Sequence, residues 1–146
     1  MNADSRRSAR VLLSTGLMVL GCTGPASDRK GGNLAIETLP ERYAPVGECS
    51  CTFDFAPGGP SVGLALVADV TEEEYQCQVS GSNVSLKRVS DGTYEGGGLR
   101  MNMKTTSVTG CPPEFPECEY SAMSRFVTVS DGRSEVTFVV NGGCGC

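Results

Sequence analysis

The stretch Tyr75-Gln76-Cys77-Gln78-Val79-Ser80-Gly81-Ser82-Asn83-Val84-Ser85-Leu86-Lys87 decides the fold. Tyr75, Cys77 and Val79 alternate with Gln76, Gln78 and Ser80; Val84 and Leu86 alternate with Ser85 and Lys87. Strict alternation marks a half-buried strand with one wet face. Gly81-Ser82-Asn83 between the two runs supplies a hairpin turn.

The same period of two extends outward from this hairpin. Cys49, Cys51, Phe53 and Phe55 share a face, as do Val62, Leu64, Leu66, Ala68 and Val70. Leu99, Met101 and Met103 form another, and Val136, Phe138 and Val140 a further one. Between Glu119 and Val129 the parity splits: Tyr120, Ala122 and Phe126 oppose Met123, Val127 and Val129. A bulge near Ser124 would reconcile them. Asp91-Gly92 and Asp131-Gly132 read as further hairpin turns. The repeated string Val-Ser-Asp-Gly at 89–92 and 129–132 reads as two similar hairpins, not as a duplicated unit. No segment shows a helical period. The expectation is an all-β domain: a small antiparallel sandwich or barrel of seven to eight strands, stapled by disulfides.

Composition narrows the chemistry. The 146 residues contain no His and no Trp. Without His there is no Ser-His-Asp or Cys-His nucleophile system and no imidazole metal ligand. Without Trp the best stacking platform for sugars and exposed bases is missing. A net charge of −5 disfavours nucleic acid and anionic membrane surfaces as partners.

Residues 1–10 carry Arg6, Arg7 and Arg10 against Asp4, and an apolar run follows from Val11 to Leu20. Ten helical residues rise only ~15 Å, about half a bilayer's hydrocarbon core, so the run reads as a signal peptide. It ends in Val19-Leu20-Gly21-Cys22. This segment resembles the lipobox of bacterial lipoproteins. That resemblance implies cleavage before Cys22, acylation of its thiol and new amine, and a stable membrane anchor through two or three chains. In such proteins Asp after the Cys favours the inner membrane; Thr23 here implies the outer membrane. Removing residues 1–21 takes away three Arg and one Asp, and the mature chain is more acidic than the precursor.

Three segments follow from this: signal peptide 1–21, lipidated Cys22 with a flexible tether over 22–46, and a β domain over 47–146. The tether is rich in Gly, Pro and mixed charge, without apolar period, and as a free coil reaches ~27 Å. Leu34-Ala35-Ile36 could pack onto the domain.

Seven cysteines remain besides Cys22: Cys49, Cys51, Cys77, Cys111, Cys118, Cys144 and Cys146. An exported setting makes them disulfide candidates. Cys111-Pro-Pro-Glu-Phe-Pro-Glu-Cys118 is a loop whose ends suit a local bridge. One of Cys49 or Cys51 is expected to join one of Cys144 or Cys146, because first and last strands often meet. Cys77 is either a buried thiol or the partner of the remaining Cys. The alternative use is soft-metal ligation: Cys49, Cys51, Cys144 and Cys146, with Met101 and Met103, are sulfur donors of the kind that select monovalent copper. Met101 and Met103 share a strand face with Leu99, which favours a core role. The acidic run Asp69, Glu72, Glu73 and Glu74 lacks a calcium loop's spacing and reads as a solvated turn. No recognisable motif surrounds Lys30, Lys87 or Lys104, the available serine-activating bases. The functional expectation is a non-enzymatic envelope lipoprotein without cofactor, a binding or structural module. It meets the membrane through its lipid and an envelope protein or ligand through its domain. Copper binding is the alternative.

Overall fold

A computed structural model describes residues 33–43, 49–110 and 120–146. Among the described residues nine strands run β1 Ile36–Glu37, β2 Ser50–Phe55, β3 Leu64–Asp69, β4 Glu74–Val79, β5 Ser82–Ser90, β6 Thr93–Gly96, β7 Leu99–Thr109, β8 Tyr120–Ser130 and β9 Glu135–Gly145. From β2 onward each strand pairs antiparallel with its successor, and β9 pairs with β2. Eight strands therefore close into an up-and-down barrel, and of the two expected architectures the barrel is the one adopted. Closure leaves those strands without a free edge.

The turns follow their chemistry. Ser80 and Gly81 have φ of 48° and 78°, and Gly97 and Gly98 have 57° and 74°. Both pairs are two-residue connections with positive φ at each position, whose twist suits a hairpin. The β4–β5 turn is thus Ser80-Gly81, one residue earlier than the sequence suggests, with Val79 opposite Ser82. Asp131 Oδ1 accepts from the amides of Arg133 and Ser134 in the β8–β9 turn.

The interior is filled by side chains of the expected parity. Cys51, Phe53, Leu66, Tyr75, Leu86, Met101, Val127 and Val140 are fully buried. Phe53 and Tyr75 lie 6.4 Å apart, and Phe55 packs against Phe138 at 5.4 Å. Tyr94, from the short strand β6 that has too few residues to show a period, is also buried.

Four sequence expectations are corrected. Residues 34–39, placed in the flexible tether by their sequence, pack onto the barrel. Ile36 and Glu37 pair with Val79 and Gln78, the Leu39 amide donates to the Leu64 carbonyl, and Leu34, Ile36 and Leu39 are buried. The sequence allows Leu34-Ala35-Ile36 to pack onto the domain, but two paired residues are too few to show a strand's period. The face from Val62 to Val70 is shorter than its alternation: Leu66 and Ala68 are buried, Val62 and Val70 exposed beyond the strand ends. β8 carries no bulge: it pairs continuously with β9 from Tyr120 to Ser130, and the irregularity lies in β7 between Thr105 and Ser107. Phe126 consequently faces outward and is exposed, while Arg125 faces in. Finally, the last strand runs past Val140 through Gly142 and Gly143 to Gly145. A Cβ at Gly142 would overlap the Thr52 carbonyl oxygen, so the lack of a side chain lets β9 approach β2 at the closing seam.

Two disulfides cross that seam. Cys51 pairs with Cys144 and Cys49 with Cys146, at Cα separations of 3.9 and 4.1 Å. Alternate residues of a strand point the same way, so the bridges form two rungs on one face. Cys77 is buried on β4 and belongs to neither bridge. Cys22, Cys111 and Cys118 lie outside the described residues.

Candidate functional site

Up-and-down pairing gives the barrel two ends. The lower end holds the β4–β5, β6–β7 and β8–β9 turns, and β1 joins there beside the end of β4. The upper end holds the β3–β4 and β5–β6 turns, the starts of β2 and β8, and the last residues of β9.

At the upper end lies Arg125, the buried charged residue among those described, 7% exposed. It occupies the inward parity of β8 between Met123 and Val127. Its partner comes from the β3–β4 turn. Glu72 has φ of 54°, a left-handed backbone uncommon outside Gly, Asn and Asp. This turn sets the carboxylate against the guanidinium. Nη1 and Nη2 of Arg125 donate to Oε2 and Oε1 of Glu72 at 2.5 and 2.9 Å. Nη1 also donates to the Tyr75 hydroxyl at 2.7 Å, and that hydroxyl donates to Glu72 Oε2 at 2.7 Å. Nη2 meets Met123 Sδ at 2.9 Å, and the guanidinium carbon lies 4.8 Å from the Phe53 ring centroid. The acidic run is therefore not uniformly a solvated turn. Asp69 Oδ1 accepts from the Thr71 amide and hydroxyl, Glu74 bonds Gln76 and Ser85, and Glu72 alone is drawn to Arg125.

A second layer covers the first. Tyr94 meets Tyr75 edge-on at 5.0 Å, and Arg88 lies 5.9 Å from the Tyr94 ring centroid. Arg88 Nη2 donates to the carbonyls of Thr71 and Glu72, both at 3.1 Å, and its Nη1 pairs with Glu73 at 3.4 Å. Two arginines from different strands thus hold the Glu72 turn, one by its side chain and one by its backbone. A cleft of about 390 Å³ opens above, lined by Glu72, Arg88, Asp91, Tyr94, Met103, Lys104 and Arg125 among others.

The electrostatics fix the charge states. Burial pushes the Glu72 carboxyl up, but bonds from Arg125 and Tyr75 outweigh it and hold it below the usual carboxylate range. Burial drives the Tyr75 hydroxyl far above its usual range; Arg125 opposes this, and the bond to Glu72 adds to it. Burial also raises Tyr94, against the opposing bond and charge of Arg88. These groups keep one protonation state through neutral pH, unlike a general acid or base, which works best with a pKa near the operating pH.

A pH dependence follows. Both tyrosines have folded values above their unfolded ones, so their contribution is complete below about pH 10 and is lost as pH rises beyond it. The urea midpoint is expected to fall above pH 10, and Tyr75→Phe should remove much of that fall. At the acid end the Glu72 contribution is present above about pH 4.5 and is lost as pH falls through its lower folded value. A midpoint flat between pH 9 and 11 in the parent would contradict the buried-hydroxyl assignment.

The residues of the copper alternative are not assembled as a ligand set. Cys49, Cys51, Cys144 and Cys146 are bonded in pairs and offer no thiolate, the form that binds metal. Met101 is fully buried on β7, and Met103 packs against the same core. The carboxylate of Glu72 and the sulfurs of Cys51 and Cys144 lie within 4.8 Å of one another, yet the two sulfurs are bonded to each other. Sequence reading missed Arg125 because a charge at an inward position breaks the very alternation used to find strands. The signal available was its parity with Met123, Val127 and Val129.

No family model matches this chain, and comparisons with curated proteins and with solved structures find no match. Fold and site together define a class: a small up-and-down β-barrel, closed by two disulfides, whose upper mouth is held by a buried arginine–carboxylate–tyrosine cluster.

Proposed function

We propose that the chain is a bacterial envelope lipoprotein, lipidated at Cys22, that holds a non-catalytic β-barrel off the membrane as a binding or structural module. Val19-Leu20-Gly21-Cys22 after a short apolar run supports the anchor. Thr23 favours the outer membrane. The observation that carries the non-catalytic part is the mouth cluster, whose ionised pair and protonated tyrosines are locked by mutual bonds and burial. A chain with no His has few other groups to carry protons at neutral pH.

The test is Cys22→Ala expressed in a bacterial host. The parent is expected to carry a fatty-acylated N-terminal Cys and to fractionate with membranes. The variant should lose both. Acylated, membrane-bound variant would refute the anchor.

A further inference from the structure

The two seam disulfides have different surroundings, and the difference points to different chemistry. Cys49 and Cys146 are exposed, whereas Cys51 is 0% exposed. The inner bridge also has a charged neighbour: Glu72 Oε1 lies 3.6 Å from Cys144 Sγ. A bridged sulfur has no proton to donate, so this is a bare contact between a carboxylate and a disulfide. Arg125 and Tyr75 hold that carboxylate in its ionised form and in place.

We propose that Cys49–Cys146 is a site of thiol–disulfide exchange, open to a dithiol reductant, while Cys51–Cys144 is kept out of that exchange by the burial of Cys51 and by Glu72 beside the half-buried Cys144. The reaction begins when a reductant thiolate attacks one sulfur of the bridge. The S–S bond breaks, the other cysteine leaves as thiolate and takes a proton, and a mixed disulfide forms. The reductant's second thiol then displaces the protein sulfur. The balance is two electrons and two protons to the protein, and one oxidised dithiol.

On the outer rung both sulfurs belong to exposed residues. On the inner rung, attack at Cys51 requires reaching a buried atom and leaves negative charge on Cys144 beside Glu72. Attack at Cys144 brings an anionic nucleophile past the same carboxylate. Both routes are disfavoured. The inner rung meanwhile spans the same seam, so the barrel stays closed when the outer rung opens. Stacked rungs thus allow a reducible disulfide that does not double as the fold's only closure. This site is independent of the Cys22 anchor.

The experiment uses the full-length oxidised protein. Graded dithiothreitol, quenching by alkylation and peptide mapping read each cysteine. Cys49 and Cys146 are expected to be alkylated at least about tenfold faster than Cys51 and Cys144, with the strand dichroism unchanged. Parallel alkylation of both pairs, or loss of the strand signal with the outer bridge, would overturn the proposal. The part played by Glu72 is read on the unmutated protein with thiols of opposite charge. Cysteamine should outpace mercaptoethanesulfonate by a larger ratio at the inner bridge than at the outer, and Glu72→Gln, which leaves Arg125 uncompensated, should lower the inner ratio to the outer one or below it. Equal ratios at the two bridges would remove Glu72 from the account.

Discussion

Removing either seam disulfide alone is expected to cost about 2 kcal/mol, and removing both about 7 kcal/mol, far more than twice either. The reason is topological. The bridges span 97 and 93 residues of sequence and close nearly the same loop. While one remains, the other only closes a small ring of neighbouring residues, worth about 2 kcal/mol in the chain-entropy model. When both are absent, the unfolded chain regains the freedom of the whole domain, a further ~4.7 kcal/mol. A small domain is stable by about 5–15 kcal/mol, so the double removal brings this barrel close to unfolding. Urea titrations of Cys49→Ala/Cys146→Ala, Cys51→Ala/Cys144→Ala and the fourfold variant under oxidising conditions measure it. Additive losses would mean that the bridges stabilise locally and not through the shared loop.

Arg125→Ala is the second large effect, a loss of about 3 kcal/mol. The Glu72 side chain keeps 20% exposure and can partly rehydrate, which places the loss at the lower end for a broken buried pair. The Tyr75 hydroxyl loses a donor at the same time. Replacing both charges, Arg125→Met with Glu72→Leu, should return stability to within about 1 kcal/mol of the parent, because the desolvation of two ions disappears with their attraction. One detail favours the apolar pair further. Arg125 Nε is buried and has no hydrogen-bond partner among the described residues, a liability of about 1–3 kcal/mol that methionine lacks. A double-mutant cycle by denaturant melting reads the coupling. If Arg125→Ala alone costs under about 1 kcal/mol, the cluster does not hold the mouth together.

The sequence by itself determined the longer strands and most of the apolar core. Alternation at Tyr75-Cys77-Val79 and Leu99-Met101 is a local property: each side chain faces in or out by parity, and apolar side chains leave water. Gly-containing turns are equally local, since positive φ is a matter of one residue's sterics. The first-to-last pairing of cysteines was legible too, but as a choice among partners. Only the closed sheet set the register that puts Cys51 opposite Cys144 and Cys49 two residues further on. Leu34-Ala35-Ile36 was legible as a stretch able to pack onto the domain but not as a strand, because its pairing comes from β4, more than forty residues away, and not from its own short pattern. Glu72 and Arg125 were the least legible. Each looks alone like an exposed charge, and 53 residues separate them. Their meeting depends on how the β3–β4 turn and β8 are placed around the barrel. Charges enter an interior only as partners, and partnership across a chain is decided in three dimensions.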